Sequence, residues 1–104
     1  VTPHELDPDP VRTILLEISE LALAAPSGGP VCEGMRRFAS ALDDAHGDKS
    51  AREAVLNNIL KMYRGGMGSF QDYVVQDAKG VLPEHDAFDR LRSRLYDVVK
   101  AELS

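Results

Sequence analysis

Ten consecutive residues hold the densest chemical potential in this chain: Tyr63, Arg64, Gly65, Gly66, Met67, Gly68, Ser69, Phe70, Gln71 and Asp72. A glycine-rich loop ahead of a helix can aim several backbone N–H groups at an anion. A phosphate-binding loop would follow its last glycine with Lys-Ser or Lys-Thr, and Ser69-Phe70 stands there instead. A dinucleotide fingerprint needs a preceding strand and a third spaced glycine, and neither is present. Asp72 would also repel a phosphate. Ser69 lacks the Gly-x-Ser-x-Gly surround of a nucleophile elbow and reads as a helix cap. The stretch therefore reads as a tight helix-to-helix connection in which Met67 and Phe70 plug into the core, with a small-ligand cradle as the alternative.

The remaining reactive groups are scattered. His85, Asp86 and Asp89 cluster at a helix entry, where acids suit the positive end of the helix dipole. No metal site is expected from them. Arg90, Arg92 and Arg94 read as a solvated helix face, largely neutralised by Asp86, Asp89 and Asp97. Asp43, Asp44 and Asp48 form an acidic cluster that could meet a basic partner. Cys32 is the lone cysteine, so no internal disulfide can form, and it reads as a buried, inert thiol. His4 and His46 have no ligand partner at a recognised spacing. No catalytic set, metal or cofactor emerges.

The elements that position these groups follow from apolar spacing. Asp9-Pro10 starts a helix striped by Val11, Ile14, Leu15, Ile18, Leu21, Ala22 and Ala25. Residues 26–30, Pro-Ser-Gly-Gly-Pro, end it. A second helix is predicted from Val31 to about His46, with Gly47 as its stop. Ser50-Ala51-Arg52-Glu53 reads as a capping box for a third, striped by Val55, Leu56, Ile59, Leu60 and Tyr63. Ser69 to Asp72 would cap a short helix through Tyr73, Val74 and Val75. That run suits a strand as well, but no second strand is evident to pair with it. Asp86 is expected to cap the last helix, striped by Phe88, Leu91, Leu95, Val98 and Val99, with Asp86 and Arg90 paired on its surface.

The prediction is an all-α domain over residues 10–104: four main helices in a compact bundle, plus one short helix after the glycine-rich loop. Residues 1–9 read as an acidic, proline-rich tail. With 104 residues the chain is one domain with a single modest core. Its formal charge of −5 is concentrated at the start, where Glu5, Asp7 and Asp9 face no base. The remaining 14 acids and 12 bases leave −2, which argues against a nucleic-acid surface. No apolar run is long enough to span a membrane, and the lone cysteine suits a reducing cytoplasm.

The second half resembles a family of small, largely uncharacterised bacterial helical proteins. Their signature is an aromatic residue followed by Gly-Gly-Met-Gly-Ser-Phe-Asn-Asp and an apolar segment. Here the matching residues are Tyr63, Gly65, Gly66, Met67, Gly68, Ser69, Phe70 and Asp72, then Gly80, Pro83, Phe88, Asp89, Leu91 and Leu95. Arg64 separates the aromatic from the glycines, and Gln71 replaces the usual Asn. The resemblance implies a small helical fold and brings no activity with it. The expectation is a non-enzymatic protein-interaction module of inhibitor or immunity type, whose partner is another protein. Two alternatives stand beside it: a small-ligand protein or enzyme using Gly65–Ser69, and a homo-oligomer joined through Leu21, Leu56 and Met62.

Overall fold

Asp9 starts the first helix as its residue type demands. In a computed structural model, which describes residues 9–64, 70 and 73–104, its Oδ1 accepts from the N–H of Val11 at 3.1 Å and of Arg12 at 3.4 Å. Helix α1 then runs Pro10–Ala22, α2 Gly29–Asp44, α3 Lys49–Tyr63 and α4 Glu84–Leu103. Between α3 and α4 lies a hairpin of two short antiparallel strands, β1 Gln76–Asp77 and β2 Gly80–Val81. The fold is thus mostly helical rather than all-α. None of the described helices is long and apolar enough to cross a membrane.

Helix α1 packs along both α2 and α4, and α3 touches α2 and α4. One apolar cluster joins them, with Leu15 and Ile18 of α1, Met35 and Leu42 of α2, Leu56 and Ile59 of α3, and Phe88 and Leu95 of α4. These residues fall on the predicted stripes because a single face of each helix has to leave water. Leu56, assigned above to a possible dimer contact, is fully buried in this core and is not available to a second copy.

Two expected helix starts move. The cap of α3 is Asp48, whose Oδ1 accepts from Ala51 N–H at 3.0 Å, so Ser50 lies inside the helix and the capping box is not used. The carboxylate two residues earlier meets an exposed N–H group of the first turn, that of Ala51, and adds a favourable charge there. In α4, Pro83 occupies the cap position without a side-chain bond, and Glu84 and Asp86 are acids of the first turn. Asp86 is therefore not the cap.

The short helix expected through Tyr73–Val75 is absent: these residues are not helical, and the next two form β1. Their partner is local. Gln76 pairs with Val81 and Asp77 with Gly80 around a two-residue loop. Asp77 Oδ1 accepts from Lys79 N–H at 2.8 Å, and Gly80 adopts φ of 131°, a region open to glycine alone. The second strand was invisible to periodicity because it is only two residues long. The proposed cap at Ser69, Gln71 and Asp72 lies outside the described residues.

The turn from α1 into α2 makes its own demand. A Cβ on Gly28 would sit 1.6 Å from the Ala22 carbonyl oxygen, so only glycine permits this approach of backbone to backbone.

Candidate functional site

Arg92 organises the region after the glycine-rich stretch. It sits on the apolar face of α4, four residues after Phe88 and three before Leu95, and is 6% exposed. A buried guanidinium must have its donors met. One terminal nitrogen donates to the carbonyl of Phe70 at 2.8 Å and of Tyr73 at 2.7 Å. The other donates to Asp89 Oδ1 at 2.6 Å. The guanidinium also lies 5.2 Å from the ring centre of Phe88 and 5.8 Å from that of Phe70. Arg92 is therefore a clamp, not part of a solvated basic face. Its position on the stripe was the signal in the sequence that it would be buried. The Arg92 hydrogen bond and charge hold the Asp89 carboxyl below the usual carboxylate range. That ion pair takes the place of the expected Asp86–Arg90 pair, which does not occur.

Tyr63 closes the same site from α3. Its hydroxyl donates to the Arg92 carbonyl oxygen at 2.6 Å, and its ring meets Phe70 edge-on at 5.2 Å. Burial pushes the Tyr63 phenol pKa up, so it remains a donor. Phe70 is itself buried, as expected of a core plug. His85 accepts the N–H of Val75 at its Nδ1, 3.2 Å away, which commits that nitrogen to the backbone. Leu82 N–H then bonds to the Val75 carbonyl at 2.9 Å. The segment from Tyr73 to Leu82 is in this way laid against α4 through main-chain groups.

The face this builds carries an apolar groove of about 200 Å³ between α2, α3 and the clamped segment. Val31, Gly34 and Met35 come from α2, Met62 from α3, and Phe70 and Tyr73 from the segment that Arg92 holds. Among the described residues, none of those lining it is charged. A Cβ added at Gly34 would meet nothing within 4 Å, so this glycine helps keep the groove open. Two roomier depressions, of about 360 and 420 Å³, are bordered by Glu17 and Arg94 and by Glu33, Arg36 and Arg37. Their charges hold water more firmly.

The other expected site residues are distributed as follows. Gly65, Gly66, Met67, Gly68, Ser69, Gln71 and Asp72 lie outside the described residues. Asp43 accepts from Arg12 Nε at 2.9 Å in an exposed pair, and Asp48 is spent as the α3 cap. Asp44 is exposed at the end of α2. Cys32 is buried in the core. Among the described residues no three His, Cys, Asp or Glu side chains gather as a metal set. The groove itself was not foreseen, because its walls come from three separate elements.

Residues 33–84 match the model of DUF6966, a domain of unknown function, and the chain belongs to that family. The match begins earlier than the resemblance read from the sequence and stops at the first residue of α4. It contains Gly34, Met35, Met62, Phe70 and Tyr73 of the groove and leaves Arg92 outside. No curated protein and no solved structure matches the chain.

Proposed function

We propose that this member of the DUF6966 family is a non-enzymatic protein-interaction module of inhibitor type, which docks on another protein through the groove face. The observation that carries this reading is the groove: a depression whose lining, among the described residues, is uncharged, and one of whose walls belongs to a segment clamped by a buried arginine. Interfaces place their binding energy in such apolar pockets rimmed by polar surface. Among the described residues, three groups with chemical potential near it are occupied in holding backbone: Arg92 grips two carbonyls, Tyr63 a third and His85 an N–H. A bacterial source and a reducing cytoplasmic location belong to the same proposal, on the strength of the sequence resemblance and the lone Cys32.

The test is affinity capture from an extract of the native cell, comparing the natural chain with Gly34→Leu after circular dichroism has shown the variant folded. The proposal expects one protein retained in stoichiometric amount by the natural chain and lost with the variant. Capture of nothing, or capture indifferent to the substitution, would overturn it. The groove also favours a second reading, a small apolar ligand. A compound that raises the melting temperature of the natural chain but not of Gly34→Leu would favour that over a protein partner.

A further inference from the structure

Resting on that reading, we infer that the groove receives a single aromatic side chain of the partner protein. Three properties of the site select this occupant. The first is size. Sites for whole small molecules run from roughly 300 to 1,000 Å³, whereas an apolar cavity of about 150 Å³ takes one benzene ring. At about 200 Å³ this groove holds one ring and little else. The second is charge. Among the described lining residues, Val31, Gly34, Met35, Met62 and Phe70 offer no side-chain partner to an ammonium, guanidinium or carboxylate, which would be stripped of water on entry. The third is the chemistry of the walls. Among the described residues, two thioethers, Met35 and Met62, and two rings, Phe70 and Tyr73, line the space. Thioether sulfur and edge-on aromatic contacts favour a ring over an aliphatic chain of equal area. Tyr73 also carries a hydroxyl, which lies 3.4 Å from Ser27 Oγ. At that distance the bond is weak, so the hydroxyl has capacity for a phenol from the partner.

Methionine methyl groups report on this site directly. The full chain, carrying [methyl-¹³C]methionine, is titrated with N-acetyl-tyrosinamide, N-acetyl-phenylalaninamide, N-acetyl-leucinamide and N-acetyl-lysinamide. The Met35 and Met62 methyl resonances are expected to move upfield, saturably, with the two aromatic amides, at a Kd on the order of 1–10 mM. The leucine amide should bind at least about threefold more weakly, a difference of about 0.7 kcal/mol, and the lysine amide should leave both methyls unmoved. Filling the groove by Gly34→Leu should abolish the shifts. Val31→Phe provides the same obstruction from the first turn of α2 should the first variant fail to fold.

No saturable shift with either aromatic amide, or equal binding of the leucine amide, overturns the inference. Shifts that survive in a folded groove-filled variant overturn it as well. Free p-cresol binding tenfold more tightly than the tyrosine amide would assign the groove to a small molecule and also overturn it. The two readings fail separately. Groove-dependent capture of a partner without aromatic binding removes the inference and leaves the proposed function. Aromatic binding without any captured partner removes the proposed function.

Discussion

Arg92 shows how one side chain can carry more of a fold than its stretch of sequence suggests. Burying a guanidinium is costly, and the cost is offset here by two carbonyls, one carboxylate and two aromatic faces. Lysine has the charge but lacks the planar fork that spans several acceptors. Arg92→Lys is therefore expected to lower stability by about 3 kcal/mol, read as a shift of the urea midpoint. A loss of less than about 0.5 kcal/mol, the range of ordinary surface substitutions, would place Arg92 outside the core. Asp9 illustrates the same economy at a surface. Arg52 donates to both its carboxylate oxygens, at 2.6 and 3.0 Å, and also to Glu102 at 2.9 Å. Burial alone raises the Asp9 pKa, but the Arg52 bonds and charge and the N–H groups of Arg12 and Val11 outweigh it, and the net shift is downward. Such a carboxylate adds stability that is complete above its unfolded pKa of about 4 and is lost as pH falls through the lower folded value. Asp9→Asn keeps the cap and removes the charge. It should cost about 1 kcal/mol at pH 7, with the gap to the natural chain closing below about pH 4. A gap that widens in acid would contradict the assignment.

Helix by helix, the chain divides into what spacing can reveal and what it cannot. The stripes of α1, α2, α3 and α4 were legible because 3.6-residue periodicity reports which face leaves water. Asp9 and Gly47 were legible because caps and stops have local chemistry. The hairpin was not, since Gly80-Val81 is too short for a pattern and its pairing depends on the turn at Asp77. The cap of α3 was misplaced because Asp48 and Ser50 both satisfy the rule and only geometry separates them. The groove was illegible for a further reason, that no local signal records which residues three elements bring together. Two glycines of α2 and its entry test this account from opposite sides. Gly34→Ala adds a methyl in open space and should stabilise the helix by about 0.8–1 kcal/mol. Gly28→Ala meets the Ala22 carbonyl and should destabilise by more than 2 kcal/mol. Thermal melts of the two variants moving in the same direction would refute the geometry of the α1–α2 turn.

Taken as a whole, the described residues form a helical body carrying a segment outside the four helices, Phe70 and residues 73–83, against α4. The segment reaches the body through Phe70 and Val75, which are buried, and through main-chain bonds to Arg92 and His85. Two of the groove's walls, Phe70 and Tyr73, are therefore no more fixed than the clamp that holds them. Elements tied by few contacts open below the global unfolding free energy, and removing a tie lowers that opening energy selectively. The function proposed for the groove depends on this construction. The most direct measurement is native-state amide hydrogen exchange on the natural chain and on Arg92→Lys, at a temperature where both are folded. The amides of Val75 and Leu82 should lose protection by at least tenfold more than amides in the middle of α1. Equal loss in both places would mean that Arg92 supports the core at large, and that the groove wall is not a separately clamped element.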